Sequence, residues 1–337
     1  MITIAIDLMG GDKGPDEIAQ GAFDAREAFG IQVALVGPRE VLDIQSNKER
    51  ALQSQFTSAP ASQVVGMTES PTIAWREKKD SSIAVGIRLV TDGEADAFVS
   101  AGNSGAIVTS SLFSLGTMAG CDRPAIGTLF TTMAGHVAIA LDIGANVECR
   151  PPFLLQFGRL GSDFMSTVFK VNRPRVALVS NGEEESKGTK LVQEAHQLLK
   201  SSDLNFIGNV EGFDIPKGTA DVFVMDGFTG NLMLKFAEGL TESIFLSLRD
   251  ALVNNPVVRA SKFIWGPPML SVAQKWDYSS IGGALLLGVN GRIIMAHGRS
   301  DATDVKNAIG LAYRVVKEGW IKSPQEGNLQ STGLHQG

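Results

Sequence analysis

The stretch 94-EADAFVSAGNSGA-106 decides the fold of this chain, because a strand, a tight polar turn and a helix follow one another. Ala97–Ser100 predicts a buried strand, and the turn leads into a helix over Ser104–Leu115. A helix N-terminus presents free N–H groups and the positive end of a dipole, which binds anions, phosphate above all. Asn103, Ser104 and Gly105 are therefore candidate phosphate-binding residues. The alternative is an ordinary turn in which glycine and asparagine only supply unusual backbone angles.

Strand and helix patterns alternate through most of the chain. The predicted strands are Ile2–Ile6, Val33–Val36, Ala97–Ser100, Ile126–Thr131, Val137–Leu141, Arg175–Val179, Val222–Met225 and Arg292–Met295. The predicted helices lie near Pro15–Phe29, Ser81–Asp92, Ser104–Leu115, Leu154–Val171, Gly188–Ser201, Thr229–Val253, Pro256–Trp276 and Ala302–Gly319. This alternation indicates an α/β fold with a mostly parallel sheet covered by helices on both faces. Ligands of such sheets bind beyond the carboxyl ends of the strands, so residues that follow each strand are the functional candidates.

The domain organisation predicted from these patterns is a single α/β catalytic domain over residues 1–322. Residues 229–278 hold two long helical patterns in succession, which predicts a protruding helical hairpin. Residues 323–337 form a polar tail that we expect to be frayed.

Composition narrows the class of protein. Of 337 residues, 44% are hydrophobic and 20% are charged, the balance of a globular protein. The net charge of −6 argues against nucleic-acid binding, and no run of ~18 apolar residues predicts a membrane span. No basic segment precedes the first strand, so no signal peptide is expected. Two cysteines favour reduced thiols and a cytoplasmic location.

The first predicted strand ends in DLMGGD, residues 7–12, where two carboxylates flank a glycine pair. Metal or hydroxyl binding is one interpretation, and capping of the helix that begins at Pro15 is the other. We predict that Asp12 caps this helix. Asp7 remains a candidate for substrate binding, together with Gly10 and Gly11.

Polar groups of a charged run and of another strand end are also candidates. In REKKDSS, residues 76–82, cations that include Lys79 stand ahead of a helix that Ser81 or Asp80 can cap. These cations can attract an anion, or they form a solvated charge run. Asn146 follows an apolar strand and offers both a donor and an acceptor.

The loops after two later strands carry Lys187 and Asn231. A lysine at a helix N-terminus is electrostatically unfavourable by itself, which points to an anionic ligand; an exposed lysine that points away is the alternative. Asp226, which follows the predicted strand Val222–Met225, is a candidate for substrate binding. Asn231 falls in the first turn of the helix predicted after it, where its amide can donate to a developing oxyanion. His297 follows the last strand, and it is either a packed structural residue or a proton donor.

Several common motifs are absent from the sequence. The order Lys-Gly-Thr at residues 187–189 does not match a P-loop, and no GxGxxG or GxSxG occurs. The four histidines and two cysteines are scattered, so neither a zinc motif nor a cofactor is predicted. Anion chemistry in a cleft lined by turns remains.

The strand-end segments together resemble the phosphate acyltransferase family of bacterial phospholipid synthesis. The resemblance runs in order from residue 7 to residue 300 through DLMGGD, REKKDSS, ADAFVSAGNSGA, RPAIGT, LDIGAN, GEEESKGT, NFIGNVEG, DVFVMDGFTGNLMLK, GGALLLGVNG and AHGRS. Departures are mild: Leu8 stands where the family usually has Ala, Ser104 stands where Thr is common, and Ser180-Asn181 precedes the acidic run.

The resemblance implies a reaction and a fold. In the implied reaction, inorganic phosphate attacks the thioester that joins a long-chain acyl group to acyl-carrier protein. The acyl phosphate product is then the substrate of a membrane glycerol-3-phosphate acyltransferase. The implied fold is a three-layer α/β/α unit similar to phosphotransacetylases and isopropylmalate dehydrogenases, usually in a homodimer. It also points to Lys187 and Asn231 as the matched catalytic pair. We expect the Asn103–Gly105 N–H groups and Lys187 to hold phosphate, Asn231 to bind the thioester oxygen and His297 to protonate the leaving thiolate.

The long helical segment supplies expectations about partners. Apolar residues recur at spacings of three or four and predict either an acyl channel or simple core, namely Phe236, Leu240, Ile244, Phe245, Leu248 and Leu252. Arg259 and Lys262 beside aromatic residues predict peripheral membrane association or docking of an acidic carrier protein. Alternatives to the main reading are a phosphotransacetylase acting on acyl-coenzyme A and a non-catalytic anion-binding module.

Overall fold

The computed structural model describes residues 1–51, 56–253, 266 and 281–321. Its strands are β1 Thr3–Asp7, β2 Gln32–Gly37, β3 Thr57–Pro60, β4 Ala97–Ser100, β5 Ala125–Thr131, β6 Val137–Leu141, β7 Arg175–Val179, β8 Asn205–Val210, β9 Val222–Val224, β10 Ala284–Leu287 and β11 Ile293–Met295. Its helices are α1 Pro15–Phe29, α2 Arg39–Ala51, α3 Pro71–Glu77, α4 Ser82–Thr91, α5 Ser104–Leu115, α6 Pro151–Phe169, α7 Lys190–Lys200, α8 Asp214–Lys217, α9 Gly227–Val253 and α10 Ala302–Lys317.

By their internal contacts the residues divide into two compact units. Unit 1 comprises Met1–Thr128, Asp163–Asn172 and Ile281–Gly337, and unit 2 comprises Leu129–Ser162 and Arg173–Ser280. The single catalytic domain expected over residues 1–322 stays a prediction, because grouping by contacts does not decide whether the two units fold separately.

Unit 1 is built on a mostly parallel sheet. Its strand order is β3-β2-β1-β4-β11-β10-β5, with β10 antiparallel to both of its neighbours. The central strands β1 and β4 are almost wholly buried, as expected for apolar strands covered on both faces. The carboxyl ends of β1, β4 and β11 meet at one edge, since these three strands run parallel.

Helix α1 shows how the sequence fixes the packing of this unit. Pro15 begins the helix, and Gly30 ends it in the left-handed conformation at φ 63°. A Cβ atom on Gly21 would lie 2.5 Å from the Ala302 carbonyl oxygen, so glycine allows α1 and α10 to approach closely.

Unit 2 has the strand order β5-β6-β9-β7-β8, in which β6, β9, β7 and β8 run parallel. The loops after β6, β9 and β7 therefore leave neighbouring strands at one edge. Strands β6, β7 and β9 are apolar and buried along most of their length.

Three strands of the structure, β3, β8 and β10, were not predicted from the sequence. Strand β3 is short and largely exposed, so it has no hydrophobic run to detect. Strand β8 is interrupted at Gly208, whose φ is 103°, and its register with β7 shifts. Strand β10 adds the antiparallel pairs of unit 1. Short helices α3 and α8 are also additional, and the predicted helix Pro256–Trp276 and tail 323–337 lie outside the described residues.

Among the described residues, no helix combines the length and the apolar character needed to cross a membrane.

An ion pair joins β7 and β9 at the amino-terminal edge of the unit 2 sheet, the edge opposite the loops that follow β6, β9 and β7. Arg175 begins β7, and Asp221 immediately precedes β9. Asp221 accepts hydrogen bonds from Arg175 Nη2 at 2.9 Å, from Nε at 3.1 Å and from the backbone N–H at 2.8 Å. Burial alone would raise the pKa of Asp221, but the Arg175 hydrogen bonds outweigh burial and lower that pKa.

Asp221→Asn should destabilise the protein by about 1–2 kcal/mol at neutral pH, because the substitution removes a carboxylate that is 10% exposed from a pair whose guanidinium is 41% exposed and partly screened by solvent. The native pKa of Asp221 is lowered, so its contribution is complete above the unfolded pKa and is lost as pH falls through the native pKa. Urea unfolding of both proteins should therefore show a difference that shrinks below about pH 4. A difference that persists undiminished in stronger acid would contradict this assignment.

Candidate active site

In unit 1, a buried carboxyl group joins the ends of β1 and β4. Asp7 is 1% exposed, and its Oδ2 accepts a hydrogen bond from Ser100 Oγ at 2.7 Å while Oδ1 accepts from Met9 N–H at 2.9 Å. Ser100 Oγ accepts in turn from the N–H of Gly102 at 3.0 Å. Burial raises the pKa of Asp7, and hydrogen bonds from Ser100, Ser82 and the Met9 N–H oppose that rise. Through these hydrogen bonds Asp7 connects the loop after β1 to the turn after β4.

Gly10 is required by this close approach. A Cβ atom there would lie 2.6 Å from Gly102 N and 2.9 Å from both Asp7 Oδ2 and Ser100 Oγ. Gly11 lies against Ile18, with 3.2 Å between its ideal Cβ position and Ile18 Cδ1. The two glycines thus let the first loop fold onto the turn after β4.

Asn103 is occupied by structural hydrogen bonds. It caps α5, because its Oδ1 accepts from Ala106 N–H at 3.0 Å. Its Nδ2 donates to the carbonyl oxygens of Gly66, Met67 and Glu69, at 3.2, 3.0 and 3.0 Å. The side chain therefore ties a neighbouring loop to the start of α5, and only the backbone N–H of Asn103 remains for an anion.

The predicted anion-binding turn retains free donors. Within the part of the chain that the structure describes, the N–H groups of Asn103, Ser104 and Gly105 have no hydrogen-bond acceptor. Ser104 is exposed. A Cβ atom on Gly105 would lie 2.5 Å from Pro71 Cγ, so glycine lets α3 pack beside this turn. The geometry is that of a helix N-terminus able to receive an oxyanion.

Asp12 does not cap α1, and that prediction is wrong. The N-cap is Gly14, which forms no side-chain cap hydrogen bond, because two residues separate Asp12 from the first helical residue. The backbone of Asp12 instead donates to the carbonyl oxygen of Gly298 at 2.8 Å.

His297, the residue before Gly298, is exposed. Its Nδ1 accepts from the Arg299 N–H at 3.2 Å, so a neutral ring carries its proton on Nε2.

The cations ahead of α4 have local partners. Lys78 Nζ lies 2.5 Å from Glu69 Oε1, and Lys79 Nζ lies 3.5 Å above the centre of the Trp75 ring. Ser81 caps α4, with its Oγ accepting from Ala84 N–H at 3.3 Å. These contacts give the charged run a structural explanation, and substrate binding by Lys79 and Ser81 stays a prediction.

In unit 2, the loop after β6 folds around the buried carboxylate of Asp142. Its Oδ1 accepts from the N–H groups of Gly144 and Ala145 at 3.1 and 3.0 Å. Its Oδ2 accepts from Asn146 N–H at 2.7 Å and from Asn146 Nδ2 at 2.9 Å. The Asn146 amide nitrogen thus donates to Asp142, a residue that was not selected from the sequence, and substrate binding by Asn146 stays a prediction.

The start of α9 rests on this Asp142 turn. Asp226 caps α9 by accepting from Thr229 N–H at 2.9 Å and from Thr229 Oγ1 at 2.7 Å. A Cβ atom on Gly230 would lie 2.0 Å from the Asp142 carbonyl oxygen, which shows how closely the two backbones approach. Asn231 is the fifth residue of α9, so it begins the second turn rather than falling in the first.

The Asn231 amide is available to a ligand. Its Cβ and Cγ lie 3.7 Å from the ideal Cβ position of Gly144, so the side chain rests over the Asp142 turn. The side chain is half-buried, and no described residue forms a hydrogen bond with it. A half-buried, unpaired amide beside a rigid turn has the chemistry of an oxyanion donor.

Lys187 lies in the loop after β7 rather than at a helix N-terminus. Helix α7 begins at Lys190 with Thr189 as its N-cap, because the Thr189 hydroxyl accepts from Val192 N–H. Lys187 is exposed, and no described carboxylate forms an ion pair with its ammonium. The nearby Glu185 is instead paired with Lys200 at 2.5 Å.

The predicted residues thus fall into two groups. Unit 1 holds Asp7, Gly10, Gly11, Lys79, Ser81, Asn103, Ser104, Gly105 and His297, and unit 2 holds Asn146, Lys187, Asp226 and Asn231. Each group follows strands that end at a common edge within its own unit.

The two thiols are poor nucleophiles. Burial raises the pKa of Cys121 and of Cys149 to about 11, so both remain protonated near neutral pH. In the described ranges, no group of three or more His, Cys, Asp or Glu side chains is arranged to hold a metal ion. The remaining candidate groups at the strand ends are therefore mainly hydrogen-bond donors and the Lys187 ammonium.

Comparison with known proteins identifies the chain's relatives. The family model described as "Fatty acid synthesis protein" matches residues 2–323. A protein named "Phosphate acyltransferase" from Endomicrobium trichonymphae is 47% identical over 334 residues, 98% of each chain. A protein of the same name from Heliobacterium modesticaldum is 44% identical over 96% of this chain and 97% of its own.

Solved structures share the architecture. A phosphotransacetylase from Streptococcus pyogenes superposes with a TM-score of 0.62 at 16% identity, covering 94% of each chain. A branched-chain phosphotransacylase from Enterococcus faecalis gives 0.58 at 14% identity, covering 94% of this chain and 100% of its own. At such identities the likeness concerns the fold alone, and it confirms the predicted α/β class.

The fold is α/β, and the named relatives show that the chain is an acyltransferase enzyme. The chain belongs to the fatty acid synthesis protein family, whose members named above are phosphate acyltransferases. The resemblance drawn from the sequence segments is thereby confirmed.

Gly230→Ala should lower both stability and activity, because its methyl group would overlap the Asp142 carbonyl oxygen. We expect a loss of about 2 kcal/mol or more in unfolding free energy, as for other overpacked sites. Gly239→Ala on the same helix is the matched control, since no heavy atom outside the helix's own nearby backbone lies within 4 Å of its added Cβ. It should stabilise α9 by up to about 1 kcal/mol. Equal melting temperatures for the two variants would contradict the close approach.

Proposed function

We propose that this chain transfers an acyl group from a thioester to inorganic phosphate and releases an acyl phosphate. The observation that carries the proposal is a pair of polar groups in unit 2. The Lys187 ammonium and the Asn231 amide have no partner among the described residues, and they follow the adjacent parallel strands β7 and β9. Such strand edges are where α/β sheets bind ligands.

The chemistry needs positioning and charge stabilisation more than a strong base. Much inorganic phosphate is already a dianion at neutral pH, so its oxygen can attack the thioester carbonyl carbon directly. As the carbon–oxygen bond forms and the carbon–sulfur bond breaks, sulfur leaves with the bonding electrons and takes up a proton. We assign phosphate binding to Lys187 and stabilisation of the carbonyl oxygen to Asn231.

Two elements of unit 1 have suitable chemistry for this reaction but remain predictions. The free N–H groups of Asn103–Gly105 suit phosphate, and the exposed His297 suits proton donation to a leaving thiolate. Each is tested by its own substitution, Ser104→Pro for the backbone donors and His297→Gln for the proton.

The acyl donor that we propose, following the family resemblance, is a long-chain acyl thioester of acyl-carrier protein. Helix α9 exposes a row of apolar side chains at four-residue spacing, and an acyl chain or another apolar surface would cover them. They are Phe228, Leu232, Phe236, Leu240, Ile244 and Leu248, with exposures between 43% and 68%. The predicted alternative of simple core does not fit this exposure. Among the described residues, Phe245 and Leu252 are half-buried.

The cellular setting follows from the same assignment. The acyl phosphate would supply a membrane glycerol-3-phosphate acyltransferase in phosphatidic acid synthesis, from a cytoplasmic homodimer that associates peripherally with the membrane. Arg259 and Lys262, the cations invoked for membrane association, lie outside the described residues.

Lys187→Ala and Asn231→Ala test the catalytic pair. Acyl phosphate trapped by hydroxylamine should fall by about 100- to 1000-fold for Asn231→Ala, the usual cost of one oxyanion donor. Lys187→Ala should chiefly raise the KM for phosphate. Lys190→Ala is the matched control, because Lys190 is also exposed, lies three residues further on and has Glu194 as its one ion-pair partner among the described residues. Near-normal rates in both active-site variants would refute the assignment.

Phe236→Asp tests the apolar row. It should raise the KM for a long-chain acyl-carrier protein while leaving a short-chain donor nearly unchanged, because only the long chain reaches the row. Lys235→Ala, an exposed neighbour on α9, should alter neither value. The same assay with acyl-coenzyme A decides between donors: a higher kcat/KM with coenzyme A thioesters would favour a phosphotransacetylase. Trapping no product from either donor would favour a non-catalytic anion-binding module.

A further inference from the structure

The loop that carries Lys187 is held from one side by a buried amide. The Glu184 carbonyl oxygen accepts the Lys187 N–H at 3.0 Å, which closes a turn, and it also accepts Asn209 Nδ2 at 3.0 Å. Asn209 lies on β8 and is 5% exposed. One carbonyl oxygen therefore joins the lysine turn to the neighbouring buried strand.

Asn209 is itself oriented by a histidine. Its Oδ1 lies 2.9 Å from Nδ1 of His196, a residue of α7 that is 3% exposed. Since Oδ1 only accepts, Nδ1 of His196 carries the proton, and the Asn209 amide N–H₂ is left facing Glu184. His196 packs edge-on against Phe206, which fixes the imidazole ring.

A second amide holds the loop on the other side of the lysine. Gln193, on the exposed side of α7, donates through Nε2 to the carbonyl oxygens of Ser186 at 2.8 Å and of Gly188 at 3.2 Å. These are the residues immediately before and after Lys187. The backbone on both sides of the lysine is therefore bound to one side chain of a rigid helix.

The lysine stem is confined as well. A Cβ atom on Gly182 would lie 2.8 Å from Lys187 Cγ, so the stem packs on the backbone of the same loop. An exposed lysine otherwise loses side-chain conformational entropy when it is fixed on a ligand. Confining the backbone and stem beforehand reduces that cost for the bound state.

We propose that Gln193 and Asn209 are positioning residues for Lys187: their side-chain amides clamp the 184–188 turn and present the lysine ammonium to phosphate. The inference rests on the proposed function, in which Lys187 binds phosphate. Neither amide touches substrate. Gln193 is the residue to change first, because it is exposed and its loss leaves no buried group unpaired.

Gln193→Met keeps the length of the side chain and removes both hydrogen bonds. It should raise the KM for phosphate by about 3- to 10-fold, the equivalent of one net hydrogen bond, with little change in kcat or melting temperature. Gln20→Met is the matched control, since Gln20 is an exposed helical glutamine whose side chain donates to Asp24 within α1 and to no other described residue. Gln193→Ala, which favours helix, serves as the second variant.

A double-mutant cycle separates positioning from general structural effects. If Gln193 acts through Lys187, Gln193→Met should have no further effect on kcat/KM for phosphate in a Lys187→Ala background. An equal effect in both backgrounds overturns the inference. So does an unchanged KM for phosphate in Gln193→Met and Gln193→Ala when Lys187→Ala is impaired. If Lys187→Ala leaves the KM for phosphate unchanged, phosphate binding by Lys187 fails, and the inference fails with it, whereas the role of Asn231 is tested separately by Asn231→Ala.

Hydrogen exchange gives a readout that does not depend on activity. The Lys187 N–H is bonded to the Glu184 carbonyl oxygen, so loosening the clamp should speed exchange in the peptide that covers residues 183–189. Exchange in that peptide should rise in Gln193→Met and stay unchanged in Gln20→Met. Unchanged exchange in both variants overturns the clamp.

Discussion

The Asp142 carboxylate is the interaction on which the candidate site of unit 2 depends. It is fully buried at the end of β6, and a buried carboxyl group is costly unless hydrogen bonds compensate it. Four N–H groups from residues 144–146 do so, and they draw the chain into a compact turn. The first turns of α9 then rest on that turn, which places the Asn231 amide at the strand edge.

Both units repeat one arrangement with different residues. In unit 1, Asp7 binds Ser100 Oγ, which binds the Gly102 N–H at the start of the anion-binding turn. In unit 2, Asp142 accepts hydrogen bonds from N–H groups of residues 144–146, which lie in its own loop. Each buried carboxyl group therefore accepts hydrogen bonds from loops of its own unit, while the N–H groups of Asn103–Gly105 and the Asn231 amide have no partner among the described residues. The polar residues at the strand ends therefore include some that hold the loops in place and others that are available to a ligand.

The sequence predicted most of the fold, because apolar strands such as β4, β6 and β7 and capped helices such as α5 carry strong local patterns. Strands β3 and β8 escaped because one is exposed and the other is broken at Gly208. Within the candidate site, strand-end position and residue type selected Lys187 and Asn231 as candidates, and the family resemblance paired them. The roles of Asp142, Asn209 and Gln193 were not, since they depend on contacts that a linear pattern does not contain. Asp12 was misassigned because a cap must adjoin its helix.

The glycine contacts at the start of α9 have a consequence for genetic screens. Gly227 and Gly230 lie so close to the loop after β6 that any side chain would collide with backbone atoms. Under the proposed role of Asn231, substitutions at these glycines would produce the same phenotype as loss of its amide, although neither glycine has a side-chain group that can act on a substrate. A saturation screen scored by growth alone would rank these scaffold positions with the chemical ones.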